Sequence, residues 1–414
     1  MDRTRRSTPA RILLGTGRTL VALLAVAVLA GTGYVWTSYR TLATGLTTSG
    51  VLASRPGGAA SAAATAPRQS YTALLVGLDS RTDAQGNPLP PDLLAQLHAG
   101  DDEGELHTDT IMLVHVPADP SAPVVTVSFP RDSYVAIADG SGKHKINSAY
   151  GRGYLAEQKK LQAQGVTGTQ LDLRSREAGR ATLISTVEAA SGVTIDHYAE
   201  INLAGFVALT DTIGGVPVCL TQAVDDRAYS GVDLPAGPQT IGGAAALAFV
   251  RQRHGLDGGD LDRITRQQAF LAGLTHQVIG AGTLTDPSTV AGLLGVVTKY
   301  VVIDSGWNLD QVVGQLGHLA GADVVFRTIP TIRPDLRTPY DGVAVEVDPD
   351  RVRDFVHTVL YVDPRASDAP TTEEPAPSAV RASGPTPTTT PAPTTTEPQS
   401  VRPVIDAAGV PCVS

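Results

Sequence analysis

Tyr71-Thr72-Ala73-Leu74-Leu75-Val76-Gly77-Leu78-Asp79-Ser80-Arg81 decides how this chain is read. Its near-continuous apolar run, Tyr71–Leu78, is the pattern of a strand buried on both faces, and it ends abruptly in charge. Working outward, Ile111–Val116 and Val124–Phe129 read as two more buried strands, with Val324–Ile329 and Val343–Val347 further on. Helical periodicity falls at Arg176–Ala190, Gly243–Phe249, Arg263–Ile279 and Leu309–Leu319. Strands alternating with helices predict a three-layer α-β-α domain around a central mixed sheet.

That domain is expected to fill 70–364 of the 414 residues. Residues 1–18 are a basic segment with Arg3, Arg5, Arg6, Arg11 and Arg18. The apolar stretch at 19–36 suits one transmembrane helix, with Tyr34, Trp36 and Tyr39 as an outer aromatic belt. Because the arginines precede it, the N-terminus is expected in the cytoplasm and the remainder outside, in the cell membrane. The alternative is a cleaved signal peptide, given the small residues Ala25-Val26-Ala27. Residues 37–69 read as a linker, 365–400 as a Pro/Thr-rich disordered segment, and 401–414 as a C-terminal tail.

Net charge is −9, which argues against nucleic acid as a partner. The only lysines are Lys143, Lys145, Lys159, Lys160 and Lys299, so positive charge is carried mainly by arginine. Cys219 and Cys412 belong to no metal-spaced cluster. Outside the cytoplasm they are expected to form a disulfide tying the tail to the domain; the alternative is a core thiol and a free tail thiol.

Asp79 closes one predicted strand and Asp109 precedes another. If those strands are antiparallel neighbours, their carboxylates meet and offer oxygen ligands for Mg²⁺, or for Mn²⁺ in its place. Arg131 follows a strand stopped by Pro130. Arg251 and Arg253, two apart, are read as projecting from one face of extended backbone, with an anion between them. Arg263 and Gln267 share a helix face, whereas Arg266 lies off that face and is expected to pair structurally, with an acid. Arginine forks grip phosphate oxygens, and carboxylates tolerate phosphate nearby only when a cation intervenes. The acidic run Asp101–Glu105 is expected to be solvated loop, with a lid as the alternative. No Gly-x-Ser-x-Gly, P-loop or metalloprotease helix occurs, which disfavours serine hydrolysis.

Six ordered segments carry a resemblance. They are Leu75–Arg81, Thr108–Leu113, Val127–Ser133, Lys145–Tyr150, Ile213–Val218, and Ala246–His254 leading to Arg263 and Arg266-Gln267-Gln268. Together they resemble the LytR-CpsA-Psr family of cell-wall glycopolymer transferases, over about residues 71–275. His107 stands where the family usually has a permanent cation, and Gly151-Arg152-Gly153 replaces a Gly-Gly pair. The resemblance implies a transferase that moves a glycan from a polyprenyl-pyrophosphate carrier to peptidoglycan at the membrane. Asp79 and Asp109 would hold the metal. Arg81, Arg131, Arg251, Arg253, Arg263 and Gln267 would bind the pyrophosphate, with Lys145 as a further charge. Phe206, Val207 and Leu209 are candidates for a lipid channel. The Ala, Gly and Arg bias suits an actinobacterial genome, for which the glycan would be arabinogalactan. Two alternatives use the same residues: a secreted metal-dependent pyrophosphatase, and a lipid-glycan-binding regulator without turnover.

Overall fold

The computed structural model describes residues 45–54, 70–97, 106–252, 254–256, 260–280, 286–307, 323–366, 405–406 and 410–414. Along the chain come β1 (Thr47–Ser49), β2 (Tyr71–Asp79), the short helix α1 (Pro91–Gln96), β3 (His107–Val116), β4 (Val124–Ser128), and the hairpin β5 (Tyr134–Ile137) and β6 (Gly142–Lys145). The long helices α2 (Ser148–Ala163) and α3 (Gly168–Ser191) precede β7 (His197–Asn202) and α4 (Leu203–Thr212). Four short strands follow: β8 (Val216–Leu220), β9 (Val224–Asp226), β10 (Val232–Leu234) and β11 (Gly237–Ile241). Next are α5 (Gly243–Arg251), α6 (Asp260–Gly280), α7 (Pro287–Tyr300), β12 (Val301–Asp304) and β13 (Val324–Thr328). The hairpin β14 (Arg333–Arg337) and β15 (Val343–Glu346), helix α8 (Pro349–Tyr361), β16 (Ile405–Asp406) and β17 (Cys412–Val413) complete the order.

Eight strands form the central sheet in the order β1-β12-β7-β2-β3-β4-β13-β16. It is mixed: β2 runs antiparallel to β3 and parallel to β7, and β4 runs parallel to β13. The apolar runs Tyr71–Leu78, Ile111–Val116 and Val124–Phe129 lie at its centre, where both faces are covered, Val324–Ile329 lies beside the edge strand, and Val343–Val347 forms a separate hairpin with β14. On β2, Leu74, Val76 and Leu78 enter one core with α2, α3 and α8. The helices supply matching stripes. In α3, Arg176, Gly179, Arg180, Leu183, Ile184 and Val187 are buried at three- and four-residue spacing, and Gly192 ends the helix at φ 72°. In α8, Asp348 caps the first turn by accepting from the Asp350 and Arg351 amides, and Val352, Phe355, Val356 and Val359 face inward.

A second core joins α4, α5 and α6 to a small sheet, β11-β8-β17. The expected disulfide is present: Cys219 and Cys412 are bonded across the parallel pair β8–β17. The tail is therefore part of the domain, with Val413 in the second core and Ile405–Asp406 paired with β13.

The linker expected at 37–69 is corrected at one point. Thr47–Ser49 is the edge strand of the central sheet, parallel to β12. Ser49 also donates to Glu177 at 2.7 Å. Three polar residues give no apolar pattern, so backbone pairing alone makes this strand. The transmembrane stretch at 19–36, the acidic run Asp101–Glu105, the helix read at Leu309–Leu319 and the Pro/Thr-rich segment, apart from its first two residues, lie outside the described residues. Among the described residues, no helix is long and apolar enough to cross a membrane.

Candidate active site

The site forms where the end of β2 lies beside the start of β3. In the antiparallel ladder Gly77 faces Thr110 and Leu78 faces Thr108, which leaves Asp109 as an extra residue, a β-bulge. The bulge matters because strand alternation would put Asp109 on the face of Ile111 and Leu113, inside the first core. With the extra residue, Asp109 joins Thr110 on the wall of an open pocket of about 480 Å³. Gly77 allows the strands to approach here, since a Cβ would meet the Thr110 side chain at 3.1 Å.

The two carboxylates sense one another. The Asp79 pKa is raised, first by burial and then by the charge of Asp109, against the opposing pull of Arg251, Arg81 and His107. Its Oδ1 is buried with no hydrogen-bond partner among the described residues. A buried carboxylate oxygen without a donor, beside a second carboxylate, fits a hard cation. His107, in place of a permanent cation, sits directly opposite Asp79 in the ladder.

Cations converge on this pair from three directions. Arg131, in the loop after β4, donates through Nη1 to Asp109 Oδ1. Arg251 Nη2 lies 3.9 Å from Asp79 Oδ2, and its Nη1 donates to the Leu97 carbonyl at 3.1 Å. Arg263 lines the pocket one helical turn before Gln267, whose amide donates to the Val250 carbonyl at 3.3 Å. Lys145 is 3.5 Å from Asp132, which neighbours Arg131.

Three expectations need correction. Arg251 does not lie in extended backbone: it is the last residue of α5, and the Gln252 amide caps the helix at the Ala248 carbonyl. The apolar stripe of α5 carries the helix to that point. Arg253 is outside the described residues. Arg266 feels the charges of Asp262 and Asp226, but the hydrogen bonds described for it go to neutral and main-chain oxygens. It is 1% exposed, lies over the Phe249 ring, and donates to Gln252 Oε1 and to the main-chain oxygen of Ser414. Of the three channel candidates, Phe206 lines the pocket, whereas Val207 packs into the second core and Leu209 is half-buried on α4.

The same pocket is also lined by the apolar residues Leu203, Phe206, Leu247 and Val250. Asn202 was not foreseen. Its Oδ1 accepts from the Gly205 amide at 2.7 Å and caps α4, while its Nδ2 donates to the Thr82 carbonyl at 2.6 Å. An Asn before an apolar helical run is a readable N-cap signal.

A family model of the LytR-CpsA-Psr family matches residues 48–334. The chain belongs to the LytR-CpsA-Psr family. It is 48% identical over 288 residues to the cell wall biosynthesis protein LcpA of Corynebacterium glutamicum, covering 69% of this chain and 55% of that protein. It is 29% identical over 194 residues to the polyisoprenyl-teichoic acid–peptidoglycan teichoic acid transferase TagU of Oceanobacillus iheyensis, covering 47% and 53%. The chain thus spans about half the length of these curated relatives. The crystal structure of B. subtilis TagV superposes with a TM-score of 0.50 at 19% identity, covering 71% of this chain and 98% of that one. This likeness shows that the mixed α/β sheet described above is the LytR-CpsA-Psr fold. The segment Asp79–Arg81 and the residues Asp109, Arg131, Arg251 and Arg263 lie within the matched LytR-CpsA-Psr region.

Proposed function

We propose that this protein is a membrane-anchored transferase with its catalytic domain outside the cell. It moves a glycopolymer from a polyprenyl-pyrophosphate carrier to a peptidoglycan hydroxyl. The observation that carries this reading is one pocket lined both by Asp109, Arg251, Arg263 and Gln267 and by the apolar residues Leu203, Phe206, Leu247 and Val250. A lipid pyrophosphate has that polarity: a dianionic head and an apolar tail. The names of the relatives, in cell-wall biosynthesis and teichoic acid transfer, support the same class. Arabinogalactan is the glycan we favour, since the LcpA relative is corynebacterial.

In this reading Arg81, Arg131, Arg251 and Arg263 hold the pyrophosphate, with Lys145 nearby. The acceptor hydroxyl attacks the phosphorus next to the sugar and loses its proton to one carboxylate of the Asp79–Asp109 pair. The bond from that phosphorus to the bridging oxygen breaks, and polyprenyl phosphate leaves. A phosphodiester to peptidoglycan remains. Asp79 and Asp109 would hold Mg²⁺, which neutralises charge on the phosphates when bound. The arginines position the head group, and positioning with charge neutralisation supplies most of the catalysis in such reactions.

The test is product analysis of the full chain with lipid-linked glycan, with and without peptidoglycan. Acceptor-dependent release of lipid monophosphate with a new phosphodiester is expected. Equal consumption of substrate without acceptor would instead establish a pyrophosphatase, and binding without turnover a regulator. In the same assay Arg251→Ala is expected to lower transfer about 10- to 100-fold with an unchanged melting temperature, because it removes charge-assisted bonds and not core packing. Near-normal turnover would remove Arg251 from the site. Phe206→Ser is expected to weaken a long-chain prenyl pyrophosphate about tenfold while sparing inorganic pyrophosphate. Equal weakening of both ligands would show that Phe206 does not meet the lipid.

A further inference from the structure

Arg81 stands between two hydroxyl residues, Ser80 and Thr82, in the turn that leaves β2. Both hydroxyls are held by one side chain from the opposite helical layer. Arg176 of α3, 6% exposed, donates from Nη1 to Ser80 Oγ at 3.3 Å and from Nη2 to Thr82 Oγ1 at 3.0 Å. Its Nε donates to Asp172 Oδ2 at 2.8 Å, and Asp172 also accepts from the Tyr154 hydroxyl at 3.0 Å. The fork is thus fixed on all sides. Ser80 Oγ and Thr82 Oγ1 lie 3.1 Å apart, and Asn202 holds the Thr82 carbonyl.

Packing alone does not explain a guanidinium here. Burying it is costly unless its donors are matched, and an apolar side chain would fill the same space. What the arginine adds is direction. A planar fork bonding two hydroxyls two residues apart fixes the backbone between them. The residue between them is Arg81, whose charge is felt by Asp79.

We propose that Arg176 is a positioning residue for the phosphate site: by holding Ser80 and Thr82 it presents Arg81 beside Asp79. The inference rests on the pyrophosphate reading of the pocket and adds a residue outside it.

The test is a double-mutant cycle on the full chain in detergent, with farnesyl pyrophosphate as the ligand measured by calorimetry. Thr82→Val and Arg176→Gln are each expected to weaken binding about tenfold when Arg81 is present, and less than about twofold in an Arg81→Ala background. Thr82→Val removes one acceptor at nearly constant volume, so it remains informative if Arg176→Gln does not fold. Equal weakening in both backgrounds, or none in the Arg81 background, would overturn the positioning role and leave Arg176 as helix–sheet packing. If Arg81→Ala and Arg251→Ala both leave affinity unchanged, the pyrophosphate reading itself fails, and the positioning role with it.

Discussion

Asp79→Asn is expected to lower transfer about 100- to 1000-fold and, at the same time, to make the metal-free protein more stable at neutral pH. Both effects come from one carboxylate. Asp79 is half-buried, its covered Oδ1 lacks a partner among the described residues, and Asp109 adds a like charge. Its folded pKa is therefore raised above the unfolded value. Below the ordinary carboxylate pKa, about 3.9, the group is protonated in both states and costs nothing. As pH climbs through the raised pKa, the folded state must give up a proton it holds more tightly than the unfolded chain does. Stability falls across that window. Asparagine keeps the shape and removes the charge, so the wild type's loss above the window should vanish in the variant. The variant should therefore melt higher than the wild type at pH 7, with the difference shrinking toward zero near pH 4. Mg²⁺ should raise the melting temperature of the wild type and have little effect on the variant. Calorimetry from pH 4 to 8, with and without Mg²⁺, reads all three effects. A variant less stable than wild type at pH 7, or one equally stabilised by Mg²⁺, would show that Asp79 is an ordinary structural carboxylate.

Asp79 was legible because it ends a continuous apolar run, and such a run has few placements other than a central strand. The meeting of Asp109 with Asp79 at the end of an antiparallel pair was legible, but the face on which Asp109 emerges was not. Counting by twos from Ile111 and Leu113 sends it into the core, and only the bulge between Gly77 and Leu78 returns it to the pocket. A bulge is one extra residue in a register that depends on the partner strand, so the strand's own sequence does not contain it. Arg251 was misplaced for a related reason. Ala246–Val250 is apolar at nearly every position, so helical and extended readings differ little in pattern and the end of α5 is ambiguous. Thr47–Ser49 carries no apolar signal at all. Arg176 reads in the chain as a polar residue of a mixed helix. Its burial depends on Ser80 and Thr82 arriving from elsewhere in the fold, beside Asp172 one turn back on its own helix.

Removing the Cys219–Cys412 bond is expected to cost the largest share of stability of any covalent change in the molecule. The bond spans 193 residues of sequence, and closing so large a loop restricts the unfolded chain by about 4–5 kcal/mol in the entropy model. The folded side adds to this. β17 has only the two residues Cys412 and Val413, with Thr221 donating to the Val413 carbonyl at 2.8 Å. So short a pairing does not hold a chain end without its covalent tie. Releasing it uncovers Val413 from the second core and takes the Ser414 oxygen away from Arg266. Arg266 would retain its bond to Gln252, whose Nε2 holds the His254 carbonyl at 2.8 Å in the turn just after Arg251. The tail is thus three hydrogen bonds from the turn that follows Arg251, the arginine proposed to hold phosphate. Cys412→Ala, and the double variant with Cys219→Ala, should melt about 10 °C lower than the oxidised wild type. Both should also lose transfer activity at temperatures where the fold is still intact by circular dichroism. Thiol-blocked, non-reduced peptide mapping should show the two cysteines linked. A Cys412→Ala protein melting within about 2 °C of wild type would mean that β17 holds without the bond, because a tie of 4–5 kcal/mol cannot be lost so quietly.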